Sequence, residues 1–303
     1  MSEAAITFNP YRAVWELLDR DQRAAYGSST TFYDLRANSV DAGADTEAVS
    51  EHKWLRSGKP YYKLWPAYAL MLSRTSLDIP ADLFHVPHDA FAICLPVAPQ
   101  LFQQVWRGES MAIRSILVSV AGHAKRPNPC LAMVIDTGTE WRIGGHIELV
   151  PGRSIESSMR DAPGSGDVPL EMIATGLRLA IAVSLLAVSV HRCIEHDVIA
   201  ALRERYDRAT TTEEREHLAE KSRRRGVNGW RIGRGRCLSL VTRCADDDSL
   251  PTGRELTYQH IRGGHFHTVR HGPGKSKARV MFYEPTVVRP DLPPPPLEVA
   301  RAG

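Results

Sequence analysis

The sequence predicts an α+β protein with a mainly antiparallel sheet, flanking helices, one long buried helix and a basic C-terminal β-hairpin. Three observations carry this expectation. Between Phe91 and Leu149, four short apolar runs of strand length are separated by Gly, Pro or Asn. Met172 to Val190 is an apolar stretch of helical length. His260 to Val288 packs four histidines, four glycines, three arginines and two lysines around a Gly-Pro-Gly turn. Helical patterns flank the strand-rich middle rather than alternating with it, which is the signature of α+β organisation.

Residues 1 to 60 read as a polar N-terminal segment. Tyr11 to Tyr26 has helical spacing through Val14, Trp15, Leu17 and Leu18, whereas Ser28 to Ser57, rich in Ala, Asp, Ser and Gly, reads as loop. Tyr61, Tyr62, Trp65 and Tyr68 lead into a helix expected to end near Leu77. Aromatics at such spacing are core packing first and a peptide-binding groove second. An α+β body over 61 to 150 then carries the strands expected at Phe91 to Leu95, Ile113 to Ala121, Leu131 to Asp136 and Trp141 to Leu149. Asp136-Thr137-Gly138 has the letters of an aspartic-protease loop, but it occurs once and Glu140 follows it, so a hairpin turn is expected.

Pro151 to Val168, with Gly152, Pro163, Gly164 and Gly166, reads as an exposed connection and the best internal boundary. Leu170 to about Tyr206 reads as one long helix, so residues 151 to 209 form a linker plus core helix. Arg178, Thr175, Gly176, Ser184 and Ser189 argue against a membrane span there. Thr210 to Arg225 has acidic residues at its start and arginines at its end, as a helix should. Gly229, Gly233 and Gly235 lie among Arg231, Arg234 and Arg236 without a P-loop Lys-Ser, and read as a basic strand facing the hairpin. Residues 210 to 289 make up the basic C-terminal region, and the tail from 290 to 303, with Pro293 to Pro296, is expected to be extended.

With 303 residues, 43% hydrophobic and 24% charged, the chain has the composition of a soluble globular protein with one sizeable core or two smaller ones. The net charge of +3 is unevenly placed. Arg223 to Arg279 holds thirteen Arg or Lys against four Asp or Glu, a local excess of +9 that leaves −6 for the remainder. Such a basic end on an acidic body points to an anionic partner, with nucleic acid favoured, over a merely solvated face. Five scattered cysteines without CxxC spacing indicate buried thiols in a reducing compartment. No basic stretch followed by an apolar core marks a secretory signal, so the expected location is cytoplasmic. No cofactor motif is present.

The hairpin concentrates the candidate chemistry. Gly264 to His271 and Arg279 to Val288 read as strands, and Gly272 to Ser276 as the turn, with Pro285 ending regular pairing or marking an edge. Strand alternation places His265, His267, Val269 and His271 on one face and Phe266, Thr268 and Arg270 on the other. Several readings stay open. A metal site would use His265, His267 and His271, but no carboxylate or Cys pair stands at ligand spacing and neighbouring cations oppose a divalent ion. A metal-independent ribonuclease would use two of these histidines as general base and acid, with Arg270, Lys275 or Lys277 stabilising phosphate charge. A binding surface for phosphate or RNA would use His260, Arg262, His265, His267, Arg270, Lys275, Lys277 and Arg279, with Phe266 and Tyr283 stacking on bases. The blandest alternative makes the histidines hydrogen-bonding struts of a small basic sheet.

The string His260-Ile261-Arg262-Gly263-Gly264-His265-Phe266-His267, followed by Gly272-x-Gly274-x-x-x-x-Arg279-Val280 and Pro285, resembles a C-terminal motif of phage and plasmid proteins. Among these it is most similar to the type V-A anti-CRISPR family that acts on production of the effector nuclease. In that family the motif reads approximately H-I-R-R-G-H-W-H; here Gly263 stands for the second arginine and Phe266 for the tryptophan. Leu70-Met71-Leu72-Ser73-Arg74, the apolar helix from Ile173 to Val190 and Trp230-Arg231-Ile232-Gly233-x-Gly235 have counterparts in the same order. The resemblance implies a protein that lowers a target's level through its mRNA during translation. Its implied partners are RNA or a ribosome–nascent-chain complex, and the N-terminal peptide of a CRISPR effector nuclease, with no membrane. A metal-independent endoribonuclease and a phage or plasmid adaptor unrelated to CRISPR immunity are the alternatives.

Overall fold

The four apolar runs become the antiparallel half of one sheet. In the computed structural model, the described residues are 50–51, 53–95, 102–121, 128, 130–137, 141–162, 168–189, 193–233, 260–262, 264–283 and 286–288. Strands β2 (Ala90–Cys94), β5 (Ser115–Ala121), β6 (Cys130–Asp136) and β7 (Trp141–Glu148) pair in the order β7-β6-β5-β2, each antiparallel to the next. β1 (Tyr61–Leu64) then runs parallel to β2 and to β9 (Gly229–Ile232), and β8 (Ile194–Asp197) closes the edge antiparallel to β9. The seven-stranded sheet is therefore mainly antiparallel, as the sequence indicates. A separate hairpin, β3 (Gln103–Trp106) and β4 (Glu109–Ala112), turns on Arg107 and Gly108, both at positive φ as a two-residue type I′ turn requires.

One face of this sheet is the main core. Tyr62, Phe91, Ile93, Ile116, Val118, Leu131, Met133 and Ile135 point into it, and helices α1 (Pro66–Arg74) and α3 (Leu170–Val188) cover it. Gly176 lets α3 lie close: a Cβ there would stand 2.6 Å from Met133 Sδ. Length and apolarity alone would allow α3 to cross a membrane, but 67% of it is buried inside the protein, so it is a core helix. The opposite sheet face holds a smaller cluster of Ala90, Ala92, Leu117 and Val134 beneath Trp54.

Four expectations are corrected. The connection after residue 150 contains a helix, α2 (Ile155–Arg160), because Ser154 caps it by accepting from Ser157 N and Ile155 is fully buried. The helix expected to reach Tyr206 stops at Val188; the chain forms β8 and then restarts as α4 (Ala200–Arg208), since β8 takes up the backbone groups at the free edge of β9. The described part of the Gly229 segment, residues 229–233, is not a basic surface strand. It is an interior strand whose Ile232 is buried in the core and whose Arg231 reaches Asp197. Residues 53–56, expected as loop, are helical and bring Trp54 onto the sheet.

The helix expected from Thr210 is α5 (Thr212–Arg223), with Thr211 accepting from Glu214 N as its N-cap. The aromatics expected as core divide: Tyr62 and Tyr68 are buried, while Tyr61 lies on the other sheet face. A single cluster joins residues from β1, α1, α3 and β9 with Phe266 and Phe282 of the C-terminal region. The helix expected at Tyr11 to Tyr26, the loop from Ser28 to residue 49, residues 234 to 259, Pro285 and the tail from 290 lie outside the described residues.

Candidate functional site

The hairpin forms, with boundaries that sharpen the expectation. β11 (His265–His271) and β12 (Lys277–Tyr283) pair antiparallel in unbroken register, His265 opposite Tyr283 and His271 opposite Lys277. Gly272, Gly274 and Lys275 all take positive φ in the turn, which explains two glycines within three residues. The second strand expected to reach Val288 divides instead. β12 ends at Tyr283, and β13 (Thr286–Val288) pairs with β10 (His260–Arg262).

Parity sorts the side chains. Even-numbered residues turn inward: Phe266 and Phe282 are buried with ring centroids 4.9 Å apart, and Val280 packs beside them on the core. Odd-numbered residues turn outward: His265, His267, Val269 and His271 on β11 against Tyr283, Met281, Arg279 and Lys277 on β12. The face carrying the histidines was legible from alternation alone. The expected stacking role of Phe266 is corrected, because a ring 7% exposed and packed on Phe282 has no face left for a base. Tyr283, 44% exposed, keeps that role open.

Around Tyr283 the geometry is specific. The His265 ring stacks on it at 5.3 Å and 12°, and His267 stands edge-on at 6.0 Å and 70°. His267, His271, Lys277 and Arg279 are exposed. Side chains two apart on one strand are separated by about 7 Å, so His265 and His267 do not hydrogen-bond each other yet could address one ligand. Arg270 lies on the inner face at the exposed tip, and Lys275 is exposed in the turn, so neither joins the histidine face. The β10–β13 pairing places the backbones of His260 and Arg262 opposite Val288 and Thr286. Among the described residues no three His, Cys, Asp or Glu side chains are grouped to hold a metal ion.

A second polar assembly escapes sequence reading because its members come from four elements. Asp197, 4% exposed, accepts from Tyr61 Oη at 2.8 Å and Arg231 Nε at 2.7 Å, and pairs with Lys63 Nζ at 2.9 Å and Arg203 Nη2 at 3.1 Å. Burial pushes its carboxyl up, but these donors and cations outweigh it and hold the group below the usual carboxylate range. Strand register extends this into a row across the sheet: Glu195, Arg231, Lys63, Cys94, Ser115 and Asp136. Ser115 Oγ donates to Asp136 Oδ2 at 3.1 Å. Burial pushes the Cys94 thiol up to about 11, so it is protonated at neutral pH and no nucleophile. On the other face, Trp230 stacks on Tyr62 at 5.1 Å with His88 and His196 alongside, which makes the aromatic row a packed wall.

The family model for AcrVA2-like proteins, the anti-CRISPR type V subtype A2 family, matches residues 62–290 and thus runs from β1 through the hairpin. The chain belongs to this family. A crystal structure of AcrVA2 is similar over 92% of this chain and 93% of that one, with 16% sequence identity and a TM-score of 0.49. No curated protein is significantly similar to the chain. The subtype A2 match embraces the sheet, α3 and the histidine face, the same segments that carry the motif resemblance.

Proposed function

We propose that this member of the anti-CRISPR type V subtype A2 family acts in the cytoplasm and lowers the level of a target protein through its mRNA during translation. It does so by contacting RNA or the ribosome with the hairpin and a nascent peptide with the body. One observation carries the reading: an outward face of His265, His267, His271, Lys277, Arg279 and Tyr283, held by an inward face of buried phenylalanines. Cations on a ribbon meet phosphates, and an exposed ring flanked by imidazoles offers a base something to stack on.

A second reading has one favouring observation. His265 and His267 share the outer face beside Tyr283, so one could act as general base toward a 2′-hydroxyl and the other as general acid. Purified protein incubated with labelled single-stranded and structured RNA in EDTA, at two salt concentrations, separates the two. Salt-sensitive retardation without cleavage supports the binding surface. Cleavage that survives EDTA and disappears in His265→Ala or His267→Ala replaces it with a metal-independent ribonuclease. A cell-free translation reaction then tests the mRNA step: the target message should fall only when it is translated.

A further inference from the structure

We infer that two helix ends, stitched together at Gly58 and Asn228, form a second contact, outside the hairpin, for the phosphate backbone of double-helical RNA. The choice of RNA rests on the RNA half of the function proposed above. The helix of residues 53–56 and α5 finish in the same way. Gly58 N donates to Leu55 O at 3.2 Å and Lys59 N to Trp54 O at 3.0 Å; Gly226 N donates to Arg223 O at 2.9 Å and Val227 N to Ser222 O at 3.1 Å. Each pair of bonds is a Schellman arrangement, with Gly58 at φ +78° and Gly226 at φ +85° in the left-handed position. Asn228 fastens the two ends: its Nδ2 donates to Gly58 O at 3.0 Å, and its carbonyl accepts from Tyr61 N at 3.1 Å. Two hydrogen-bonded caps therefore stand side by side where the parallel strands β1 and β9 begin.

The side chains on these caps are cationic. Residues 53–61 and 220–230 hold seven Arg or Lys and one acid, Glu220. Lys53 Nζ donates to Val120 O, and Glu220 is shared by Arg223 and Arg224. Arg56, Lys59, Lys221 and Arg225 are exposed, and among the described residues their side chains have no hydrogen bond or ion pair. A cation in the last turn answers a helix dipole, but Lys59 and Arg225 lie beyond the last helical residues, Arg56 and Arg223, so the dipole does not account for them. The ligand follows from what the caps lack. Trp54 is buried, Tyr61 is tied to Asp197 and Trp230 stacks on Tyr62, so neither segment offers the exposed ring on which single strands stack. No apolar side chain of these segments is exposed, so the patch has neither the apolar core of a protein interface nor a wedge to enter a membrane. A double helix turns its bases inward and presents regularly spaced phosphates, which unaccompanied guanidinium and ammonium groups meet directly.

The test uses the full-length protein with labelled duplex RNA, duplex DNA of the same sequence and oligouridylate, by fluorescence polarisation at several salt concentrations. Expected is salt-sensitive binding of duplex RNA that the combined variant Arg56→Gln, Lys59→Gln, Lys221→Gln and Arg225→Gln weakens about tenfold or more. The slope of log K against log salt should fall by about 0.9 for each cation that meets a phosphate. Oligouridylate binding, which uses the hairpin, should stay within about twofold. The melting temperature should not move, because all four side chains are exposed and unpaired. On the unaltered protein, duplex RNA should shield Lys59 and Lys221 from acetylation, read by mass spectrometry, so the test stands even if the variant folds poorly. No duplex binding where oligouridylate binds, an equal loss of both ligands in the variant, or unshielded Lys59 and Lys221 overturns the inference. So does preference for duplex DNA, or a variant that loses polyglutamate or phosphatidylserine vesicles while keeping duplex RNA. Failure of mRNA lowering with duplex binding and shielding intact would instead overturn the translational function and leave this contact standing.

Discussion

Arg178 grips Glu156 with both terminal nitrogens: Nη2 donates to Oε1 at 2.7 Å and Nη1 to Oε2 at 3.1 Å, while Nη1 also donates to Thr75 O at 2.8 Å. The one charge in the middle of an apolar helix thereby ties α3 to α2 and to the end of α1. Arg178→Met should cost about 2 kcal/mol, because it leaves a part-buried carboxylate and a carbonyl without their donor. Urea unfolding followed by tryptophan fluorescence measures this, and an unchanged midpoint would make the pair ornamental.

The same carboxylate sets an acid limb of stability together with Asp197. Burial raises both carboxyls, but hydrogen bonds and charges from Arg178 for Glu156, and from Lys63 and Arg231 for Asp197, leave both below their ordinary values. A folded pKa below the unfolded one gives stability that is fully present above about pH 4 and drains away as pH falls through the folded value. Glu156→Gln and Asp197→Asn should each flatten the loss of stability between about pH 4 and 2. Asp197→Asn should also cost about 3 kcal/mol at neutral pH, since Arg203 and Arg231 lose their shared counter-ion. Chemical denaturation across a pH series reads both effects.

Neighbouring aromatics on β12 should behave oppositely. Phe282→Ala is expected to cost about 3 kcal/mol, because it empties the contact with Phe266 that fixes the hairpin to the core. Tyr283→Ala should leave unfolding within about 0.5 kcal/mol and weaken single-stranded RNA binding by about 1–3 kcal/mol. Thermal melts and filter binding on the two variants decide; equal loss of stability would erase the distinction between faces.

Lys277→Gln with Arg279→Gln should reduce the slope of log K against log salt by about 1.4 for single-stranded RNA, if each cation meets one phosphate. Titrations at several salt concentrations measure the slope. An unaltered slope would move the phosphate contacts elsewhere in the basic region.

What the sequence makes legible follows from how each segment satisfies itself. β2, β5, β6 and β7 are buried apolar runs that announce their own period. β1, β8 and β9 are four residues each and place Tyr61, Lys63, Glu195, Asp197 and Arg231 on one face. Their polarity is answered only across strands, so no local pattern shows it. The overrun of α3 toward Tyr206 has a similar cause: no glycine or proline interrupts residues 189–206, and the charges of α4 mimic a helix leaving the core. In the hairpin, alternation separates the two faces, but only the packing on the core decides which one looks inward. That choice buries Phe266 and leaves Tyr283 on the exposed face.

The parity of the hairpin also divides the constraints on its letters. Phe266, Val280 and Phe282 serve the core, whereas the odd positions of the two strands face outward. Positions 265, 267, 271, 277, 279 and 283 can therefore change at little cost in folding, while positions 266 and 282 need an apolar ring. One side of the ribbon is tied to the fold and the other is left free to vary.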